Sequence, residues 1–418
     1  MTKIQLTDGV YWVGVVDWNL RDFHGYTTPR GGTYNAYLII DEKIALVDTV
    51  KHTFAGEMID RIKEIIDPSI IDYIVSNHVE ADHSGSLPEI LKIATNARVI
   101  CTEKGKEGLF RYYRGDWNFR TVKTGDELSL GKKTLFFITA PMLHWPDSMF
   151  TYLKEDQILL SNDAFGQHLA SSFRFDEDVC SLIGLMSMSK KEGDLKVHQR
   201  YECDTIMDEA AKYYANILMP FGGIIFKKIE ELKTLGIEMK MIAPSHGMIW
   251  KNPEKIIGAY LAWSGGTSKQ KVLVIYDTMW NSTEIMAGEI VRGIVDSGVE
   301  VSLFHLRKTE WSEIVKEVLE ARAILIGTPT LNNSMFPTVG GFLTYLLGLK
   351  PKNKLWATFG SYGWAGGGVK GVNEKLSSSG YEPVDSLEVN FRPDEADMAK
   401  CYALGQKIAS LVKTNVTA

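Results

Sequence analysis

Short apolar runs separated by polar turns recur along the whole chain, and their spacing changes near residue 265. In the second part each apolar run is followed by a turn and a helical pattern; the runs are Lys271–Asp277 (KVLVIYD), Ala323–Pro329 (AILIGTP) and Lys354–Gly360 (KLWATFG). Apolar strands that alternate with helices are typical of βαβ units and of a parallel sheet buried on both faces. The pattern therefore predicts a doubly wound α/β domain over residues 270–418.

The first part has more strand-like runs, and their spacing is more varied. They are Asn35–Ile40, Ile44–Asp48, Ile71–Val75, Arg98–Thr102, Thr134–Ala140, Gln157–Ser161 and Met241–Ala243. This arrangement predicts a mixed α/β layered domain over residues 1–265. The polar, Gly-rich stretch Ser264–Gln270 (SGGTSKQ) has the composition of a linker between the two domains.

Length and composition support a two-domain globular protein. The chain has 418 residues, of which 45% are hydrophobic and 23% charged. Its formal charge of −6 gives no general attraction to nucleic acid or to an anionic membrane. There is no apolar run of about 18 residues and no signal-peptide core, so we expect a cytoplasmic protein with small-molecule or soluble protein partners.

The four cysteines give no sign of a metal knuckle or a redox dithiol. Cys101, Cys180, Cys203 and Cys401 are far apart and never form a C-x-x-C pair. We expect plain thiols that are mostly buried.

Four potential metal ligands lie within six residues just after the run Ile71–Val75. The segment reads HVEADH and contains His78, Glu80, Asp82 and His83. A mixed set of nitrogen and oxygen ligands suits iron, zinc or manganese. Further ligand types follow three other strand-like runs, namely His144, Asp163 and His246. If these strand ends meet at one rim of a sheet, seven side chains could hold two metal ions with one shared bridge.

The other histidines lack this context. A lone histidine such as His144 or His246 is more often a hydrogen-bonded core or surface residue than a ligand. The prediction of a metal site therefore depends on the dense segment of residues 78–83. We expect His24 and His168 to lie behind the ligands, and His52, His198 and His305 to face solvent.

Three loops of the second domain have the composition of a flavin site. The first run leads into Thr278, Met279, Trp280, Asn281, Ser282 and Thr283, before a helical pattern that begins at Glu284. Hydroxyls and backbone amides at a helix start suit a terminal phosphate, and no G-x-G-x-x-G or G-K-[ST] motif points to a dinucleotide or triphosphate. The other two loops contain Pro329, Thr330, Leu331, Asn332 and Asn333, and then Ser361, Tyr362, Gly363, Trp364, Ala365 and Gly366. Such loops suit a flat isoalloxazine, although Gly-rich loops are also common turns.

On these residues the second domain resembles flavodoxin, which binds FMN. Residues 78–83 resemble the H-x-[HE]-x-D-H signature of the metallo-β-lactamase fold, with Glu80 where zinc hydrolases carry histidine. An added carboxylate favours iron over zinc and suits redox chemistry. Taken end to end, the chain resembles the flavodiiron protein family. The resemblance implies an αββα sandwich of the metallo-β-lactamase type followed by a flavodoxin-like domain.

The same resemblance implies the ligands and the activity. One iron would be held by His78, Glu80 and His144, the other by Asp82, His83 and His246, and Asp163 would bridge them. Family members reduce dioxygen to water, nitric oxide to nitrous oxide, or both, and we favour dioxygen here. A head-to-tail homodimer, or a dimer of dimers, is implied. With no rubredoxin or flavin reductase module before Ala418, electrons are expected from a separate donor, rubredoxin or a reduced deazaflavin coenzyme.

Two other classes of function stay open from the sequence. One is a dinuclear zinc hydrolase whose flavodoxin-like domain is regulatory, and the other is an electron carrier whose metal site is structural. The stretch Ser171–Asp204 is longer than in the shorter family members and is interpreted as a solvated loop, with a cover over the site as the alternative. Tyr213 and Tyr214 either donate a hydrogen bond to a bound intermediate or pack in the core.

Overall fold

The computed structural model describes residues 3–179 and 195–414, and over 195–203 it describes the backbone only. The chain forms two compact units. The first comprises Met1–Tyr213 and Phe221–Leu261, and the second comprises Tyr214–Pro220 and Ala262–Ala418. Most of the Gly-rich stretch that was expected to be a linker lies in regular secondary structure, because one helix ends at Gly265 and the next strand begins at Lys269.

The first unit is built on two main sheets. The seven-stranded sheet has the order β1-β2-β7-β8-β9-β10-β11, and the five-stranded sheet has the order β12-β13-β14-β15-β16. The strands of the seven-stranded sheet are β1 Ile4–Thr7, β2 Val10–Trp12, β7 Tyr37–Ile40, β8 Ile44–Val47, β9 Tyr73–Val75, β10 Arg98–Cys101 and β11 Phe119–Thr121. Those of the five-stranded sheet are β12 Glu127–Ser129, β13 Thr134–Thr139, β14 Met149–Leu153, β15 Ile158–Asn162 and β16 Met241–Pro244. Two small hairpin sheets pair β3 Val15–Asp17 with β6 Gly32–Tyr34, and β4 Asp22–Phe23 with β5 Tyr26–Thr27.

The two main sheets enclose one apolar core. Val47 of the first sheet and Phe137 of the second belong to the same buried cluster. A second cluster lies on the other side of the seven-stranded sheet, where Met58 and Ile62 of the first helix are buried. The helices of this unit are Ala55–Lys63, Ala81–Ser84, Leu87–Ile93, Glu103–Tyr113, Leu195–Tyr213, Gly222–Thr234 and Pro253–Gly265, the last of which continues into the second unit. The layered α/β domain predicted from the sequence is confirmed.

The second unit is a parallel sheet with the order β18-β17-β19-β21-β22. Its strands are β17 Lys269–Tyr276, β18 Glu300–His305, β19 Ala321–Leu331, β21 Leu355–Tyr362 and β22 Pro383–Asn390, with the short β20 Ser334–Met335 turned back on β19. Its helices are Ser282–Asp296, Trp311–Glu320, Pro337–Gly348, Gly368–Ser378 and Glu395–Thr414, and the separate segment Tyr214–Leu218 is π-helical. The strand order reverses next to β17, which places a ligand crevice at the carboxyl end of that strand.

The two cysteines whose side chains are described are buried, as predicted. Cys101 and Cys401 are free and buried, and burial raises the pKa of each thiol to about 12, whereas Cys180 and Cys203 lie outside the described side chains. The middle of the stretch Ser171–Asp204, residues 180–194, also lies outside the described residues. Among those that are described, every helix is too short or too polar to cross a bilayer.

The prediction that His305 faces solvent is wrong. Its side chain is only 11% exposed, because the parallel register of β17 and β18 places it beside Tyr276, with ring centroids 5.2 Å apart. His52 is exposed as predicted, and the side chain of His198 lies outside the described part of the chain.

Candidate metal centre and flavin cradle

Three strands of the five-stranded sheet end at the same edge. β13 and β15 are both antiparallel to β14, and β16 is parallel to β15, so all three point in one direction. Just beyond their ends lie His144, Asp163 and His246. β9 of the facing sheet leads into the segment that contains His78, and the short helix Ala81–Ser84 contributes Asp82 and His83. The expected meeting of strand ends therefore occurs, and all seven predicted side chains lie in one place.

The first group of ligand atoms comes from His78, Glu80, His144 and Asp163. Glu80 Oε2 lies 3.3 Å from His78 Nε2 and 3.2 Å from His144 Nε2. Asp163 Oδ2 lies 3.7 Å from His78 Nε2 and 3.4 Å from His144 Nε2. Two imidazoles thus converge on two carboxylates in a mostly buried position.

The second group comes from Asp82, His83 and His246. Asp82 Oδ2 lies 3.3 Å from His83 Nε2 and 3.1 Å from His246 Nε2. The other oxygen of Asp163, Oδ1, lies 3.0 Å from His83 Nε2 and 3.4 Å from His246 Nε2. Asp163 therefore turns one carboxylate oxygen towards each group.

Seven of these eight distances fit the edges of metal coordination shells, the exception being the 3.7 Å between Asp163 Oδ2 and His78 Nε2. Two ligand atoms about 2.1 Å from one ion lie about 3.0–3.4 Å apart at octahedral or tetrahedral angles. Several of these atoms are buried without a hydrogen-bond partner in the described part of the chain, among them both oxygens of Asp82, Oδ2 of Asp163, and Nε2 of His144 and His246. Since buried polar atoms are rarely left unpaired, the donor set fits a pair of metal ions.

The electrostatics of the centre favour positive charge inside it. Burial lowers the pKa of His144, but the nearby carboxylates of Asp163 and Glu80 have the larger, opposite effect and raise that pKa to about 9. His246 behaves in the same way, with its pKa raised to about 10 by Asp163 and Asp82. Burial raises the pKa of Glu80, yet its contacts with His144, His24 and His78 hold that pKa well below its usual range. The carboxylates therefore attract cations to the place where the imidazole nitrogens converge.

Three further residues form hydrogen-bond contacts with the predicted ligands and orient their side chains. Asp147 Oδ2 lies 2.9 Å from His78 Nδ1, and the carbonyl oxygen of Thr33 lies 2.7 Å from His246 Nδ1. The Tyr213 hydroxyl donates to Asp163 Oδ1 at 3.0 Å. The contacts of His78 and His246 use Nδ1, the nitrogen opposite the converging Nε2, so they fix the direction in which each ring points. Tyr213 instead binds Oδ1 of Asp163, the same oxygen that faces His83 and His246, and so holds that carboxylate in place.

The two histidines expected behind the ligands are found there. His24 Nε2 contacts Glu80 Oε1, and the buried ring of His168 lies 4.8 Å from that of His246. Burial, together with the nearby His246 and His24, lowers the pKa of His168 well below its usual value, so this ring is neutral. Tyr214, unlike Tyr213, belongs to the second unit and packs against Trp263.

Sequence reasoning gave no role to two buried aspartates that hold the ligand loops. Asp48 has a positive φ of 56° and is buried; its two carboxylate oxygens accept from the backbone N–H and the side-chain amide of Asn77 at 2.8 and 2.9 Å. Asp48 directly follows strand β8, and Asp147 lies three residues after His144, and these positions are the signal that could have found them.

In the second unit, the three predicted loops meet at the carboxyl ends of the parallel strands. Thr283 Oγ1 lies 3.0 Å from Ser361 Oγ, and the backbone N–H of Gly368 donates to Thr330 Oγ1 at 2.9 Å. The helix after the first loop begins at Ser282 rather than Glu284, so the loop is shorter than predicted. These contacts join the first loop to the third and the second to the third.

The loops have the features of a cradle for a phosphate and a flat ring. Thr278 Oγ1 is buried and has no hydrogen-bond partner among the described residues, which fits a phosphate oxygen at the start of the helix. Trp280 and Trp364 are 89% and 94% exposed, so two indole rings are free to stack on an isoalloxazine. Gly367 has a φ of 137° and a Cβ there would meet the Asn333 carbonyl oxygen at 2.4 Å, so only glycine fits between the second and third loops.

Comparison with known proteins gives the same two domains. The family model described as ODP family beta lactamase matches residues 33–247, and the flavodoxin model matches residues 274–405. A protein of Moorella thermoacetica named nitric oxide reductase is 48% identical over 98% of each chain. One of Methanocaldococcus jannaschii named coenzyme F420H(2) oxidase is 42% identical over 98% of this chain and 97% of its own.

Solved structures agree over the full length. Rubredoxin oxygen:oxidoreductase of Desulfovibrio gigas matches with a TM-score of 0.91 and 36% identity, covering 100% of both chains. The flavodiiron protein of Giardia intestinalis matches with a TM-score of 0.89 and 33% identity, covering 99% of this chain and 97% of its own.

A β-lactamase-like domain with a paired ligand set, followed by a flavodoxin domain, defines a class of two-domain metalloflavoproteins. Within that class, the chain belongs to the flavodiiron protein family. It is therefore an oxidoreductase, and the expected cofactors, FMN and a diiron centre, are confirmed at the level of the family.

Proposed function

We propose that this protein reduces dioxygen to water at a diiron centre held by His78, Glu80, Asp82, His83, His144, Asp163 and His246. The observation that carries the proposal is the position of Asp163, whose two oxygens face two separate ligand groups. A carboxylate placed in this way suits two metal ions that act on one small substrate.

The charges of the donor set support redox chemistry. The carboxylates of Glu80, Asp82 and Asp163 bring three negative charges, and two ferrous ions would bring four positive ones, so the reduced centre would carry little net charge. Oxidation of both ions would add two positive charges, which the three carboxylates offset in part and which neutral imidazoles alone would not offset. The metal ions of a zinc hydrolase do not change their charge during the reaction, so a neutral histidine would suit such an enzyme better than Glu80.

The residues around the centre have separate tasks in this proposal. Asp147 and Thr33 hold the imidazoles of His78 and His246 in the orientation that leaves Nε2 free for a metal ion. Tyr213 keeps a proton on its hydroxyl 3.0 Å from Asp163 Oδ1, because burial raises the pKa of this phenol well above its usual value. Glu80 and His24 are 15% and 24% exposed, so the substrate would enter on their side.

The reaction balances only with a second electron source. Dioxygen takes up four electrons and four protons to form two water molecules. When bound, the pair of ferrous ions would supply two of these electrons, and reduced FMN would supply the other two. We place FMN in the cradle of residues 278–283, 329–333 and 361–366. Relatives named after rubredoxin and coenzyme F420H(2) support an external donor, rubredoxin or a reduced deazaflavin. A cytoplasmic location and a head-to-tail homodimer are parts of the same proposal.

Reduction of nitric oxide to nitrous oxide is the second candidate. Two molecules of nitric oxide need only two electrons and two protons, and they give one nitrous oxide and one water. The relative that is 48% identical and named nitric oxide reductase favours this candidate.

The test is a pair of gas-consumption measurements on the same preparation. The iron-loaded, FMN-loaded protein is reduced without oxygen, and dioxygen and nitric oxide are then added separately to an electrode cell. We expect turnover with dioxygen at the higher rate; a higher rate with nitric oxide would select the second candidate. Inertness towards both gases, or esterase turnover by a zinc form, would overturn the proposal.

A further inference from the structure

A buried aspartate lies directly before the phosphate loop of the second unit. Asp277 follows β17, is 0% exposed, and precedes Thr278, the first loop residue. Its Oδ1 accepts from the backbone N–H of Thr278 at 2.7 Å. A carboxylate in this position would repel the phosphate of FMN, since charges in a poorly solvated site interact strongly.

Arg307 neutralises that carboxylate. Its Nε lies 2.9 Å from Oδ1 and 3.1 Å from Oδ2 of Asp277, and a terminal nitrogen of the same guanidinium donates to the carbonyl oxygen of Thr278. The guanidinium also lies over the ring of Phe336, with Cζ 5.3 Å from the centroid. Arg307 therefore contacts both the aspartate and the first peptide unit of the loop.

The pair joins three segments of the cradle. The Thr338 hydroxyl contacts Asp277 Oδ2 from the start of the helix Pro337–Gly348, which follows the second flavin loop. Arg307 reaches in from the turn after β18, and Thr278 belongs to the first loop. The loop 278–283 itself, TMWNST, contains no basic residue. Arg307 thus supplies a positive charge that the loop lacks.

We propose that Arg307 is a positioning residue that makes the loop selective for a phosphorylated flavin. It does so by cancelling the charge of Asp277 and by holding the Thr278 carbonyl, whose peptide dipole is strengthened by the bond. The inference rests on the proposed placement of FMN in this cradle. It predicts that Arg307 matters for FMN and little for riboflavin, which lacks the phosphate.

The test uses the full-length chain freed of flavin, titrated with FMN and with riboflavin while flavin fluorescence is recorded. The variants are Arg307→Gln, Asp277→Asn and the double variant, and Arg292→Gln is the control that removes one exposed positive charge from the same unit. For Arg307→Gln we expect FMN binding to weaken by roughly tenfold or more, with riboflavin binding changed by less than about threefold. In the double variant FMN affinity should return to within about threefold of the wild type, because no buried charge is left to neutralise.

The results distinguish the role of Arg307 from the placement of FMN in the cradle. Equal losses for FMN and riboflavin in Arg307→Gln, or a double variant as weak as that single variant, would refute the role of Arg307 while leaving the cradle intact. A wild-type chain that binds neither flavin would instead refute the placement of FMN.

Discussion

Asp147 holds the imidazole of His78 with a single carboxylate oxygen. Oδ2 lies 2.9 Å from His78 Nδ1 and also accepts from the next backbone N–H, that of Val79, at 2.8 Å. The carboxylate is buried, so solvent does not compete for these bonds. A neutral His78 held in this way carries its proton on Nδ1 and presents the lone pair of Nε2 to the other ligands.

Asp147→Asn should weaken metal binding by the group of His78, Glu80 and His144. An amide accepts more weakly than a carboxylate and leaves the tautomer of His78 less defined, and loss of such a contact costs about 10–100-fold in metal affinity. Iron titration of the metal-free protein, followed by metal analysis, measures this. Asp60→Asn, an exposed helix position paired with Lys63, is the control and should bind as the wild type does. Full iron affinity in Asp147→Asn would show that the contact does not orient the ligand.

Glu80→His should shift the metal preference towards zinc and lower gas reduction. The change replaces a carboxylate that contacts His24 and His144 by a neutral imidazole, which removes a negative charge from the centre. Metal analysis of protein produced with equal iron and zinc, and the rates with dioxygen and nitric oxide, test this. Glu80→Asp keeps the charge and should retain the preference for iron. If Glu80→His kept both its iron content and its rate, Glu80 could not be the residue that makes the centre redox-active.

The sequence was sufficient to bring the proposed ligands together because apolar runs mark strands and the next polar residues mark their ends. His144, Asp163 and His246 were found in this way. The contact between Asp147 and His78 joins positions 69 residues apart, and no local pattern encodes it. The same holds for Asp277, whose partners Arg307 and Thr338 come from two other segments.

His305 was predicted wrongly for a related reason. Its exposure depends on the register that pairs it with Tyr276 on the neighbouring strand, and a single run of sequence does not contain that register. The earlier start of the helix at Ser282 was missed because it depends on the positive φ of Asn281, which is 67°. The sequence pattern therefore did not determine contacts between distant segments, nor did it determine where the backbone has a positive φ.

Gly367→Ala should remove most of the flavin affinity. A Cβ at this position would lie 2.4 Å from the carbonyl oxygen and 2.8 Å from the carbonyl carbon of Asn333, and the φ of 137° is unsuited to alanine. The second and third loops would have to separate, so we expect FMN to bind at least about tenfold more weakly. Flavin content after purification and fluorescence titration measure the effect. Gly348→Ala, at a helix end with open space around it, should bind FMN normally; normal binding by Gly367→Ala would show that the loops adjust freely.

Lys354 should make the stability of the second unit depend on pH. Burial lowers the pKa of Lys354 from 10.5 to about 7, although its ammonium group donates to the carbonyl oxygens of Leu319 and Ala321. Between pH 7 and pH 10.5 the unfolded chain therefore keeps a proton that the folded chain has lost. Since stability rises with pH where the unfolded state binds more protons, the free energy of unfolding should increase by up to about 1.4 kcal/mol per pH unit.

Lys354→Met removes this group and should flatten that rise. The free energy of unfolding can be measured in urea through tryptophan fluorescence, to which the buried Trp356, two residues away, contributes, at several values of pH between 7 and 9.5. Lys352→Met, at an exposed position of the same segment, should keep the wild-type slope. Equal slopes in all three proteins would mean that Lys354 is protonated in the folded chain throughout this range, and that its two carbonyl acceptors outweigh the cost of burying the charge.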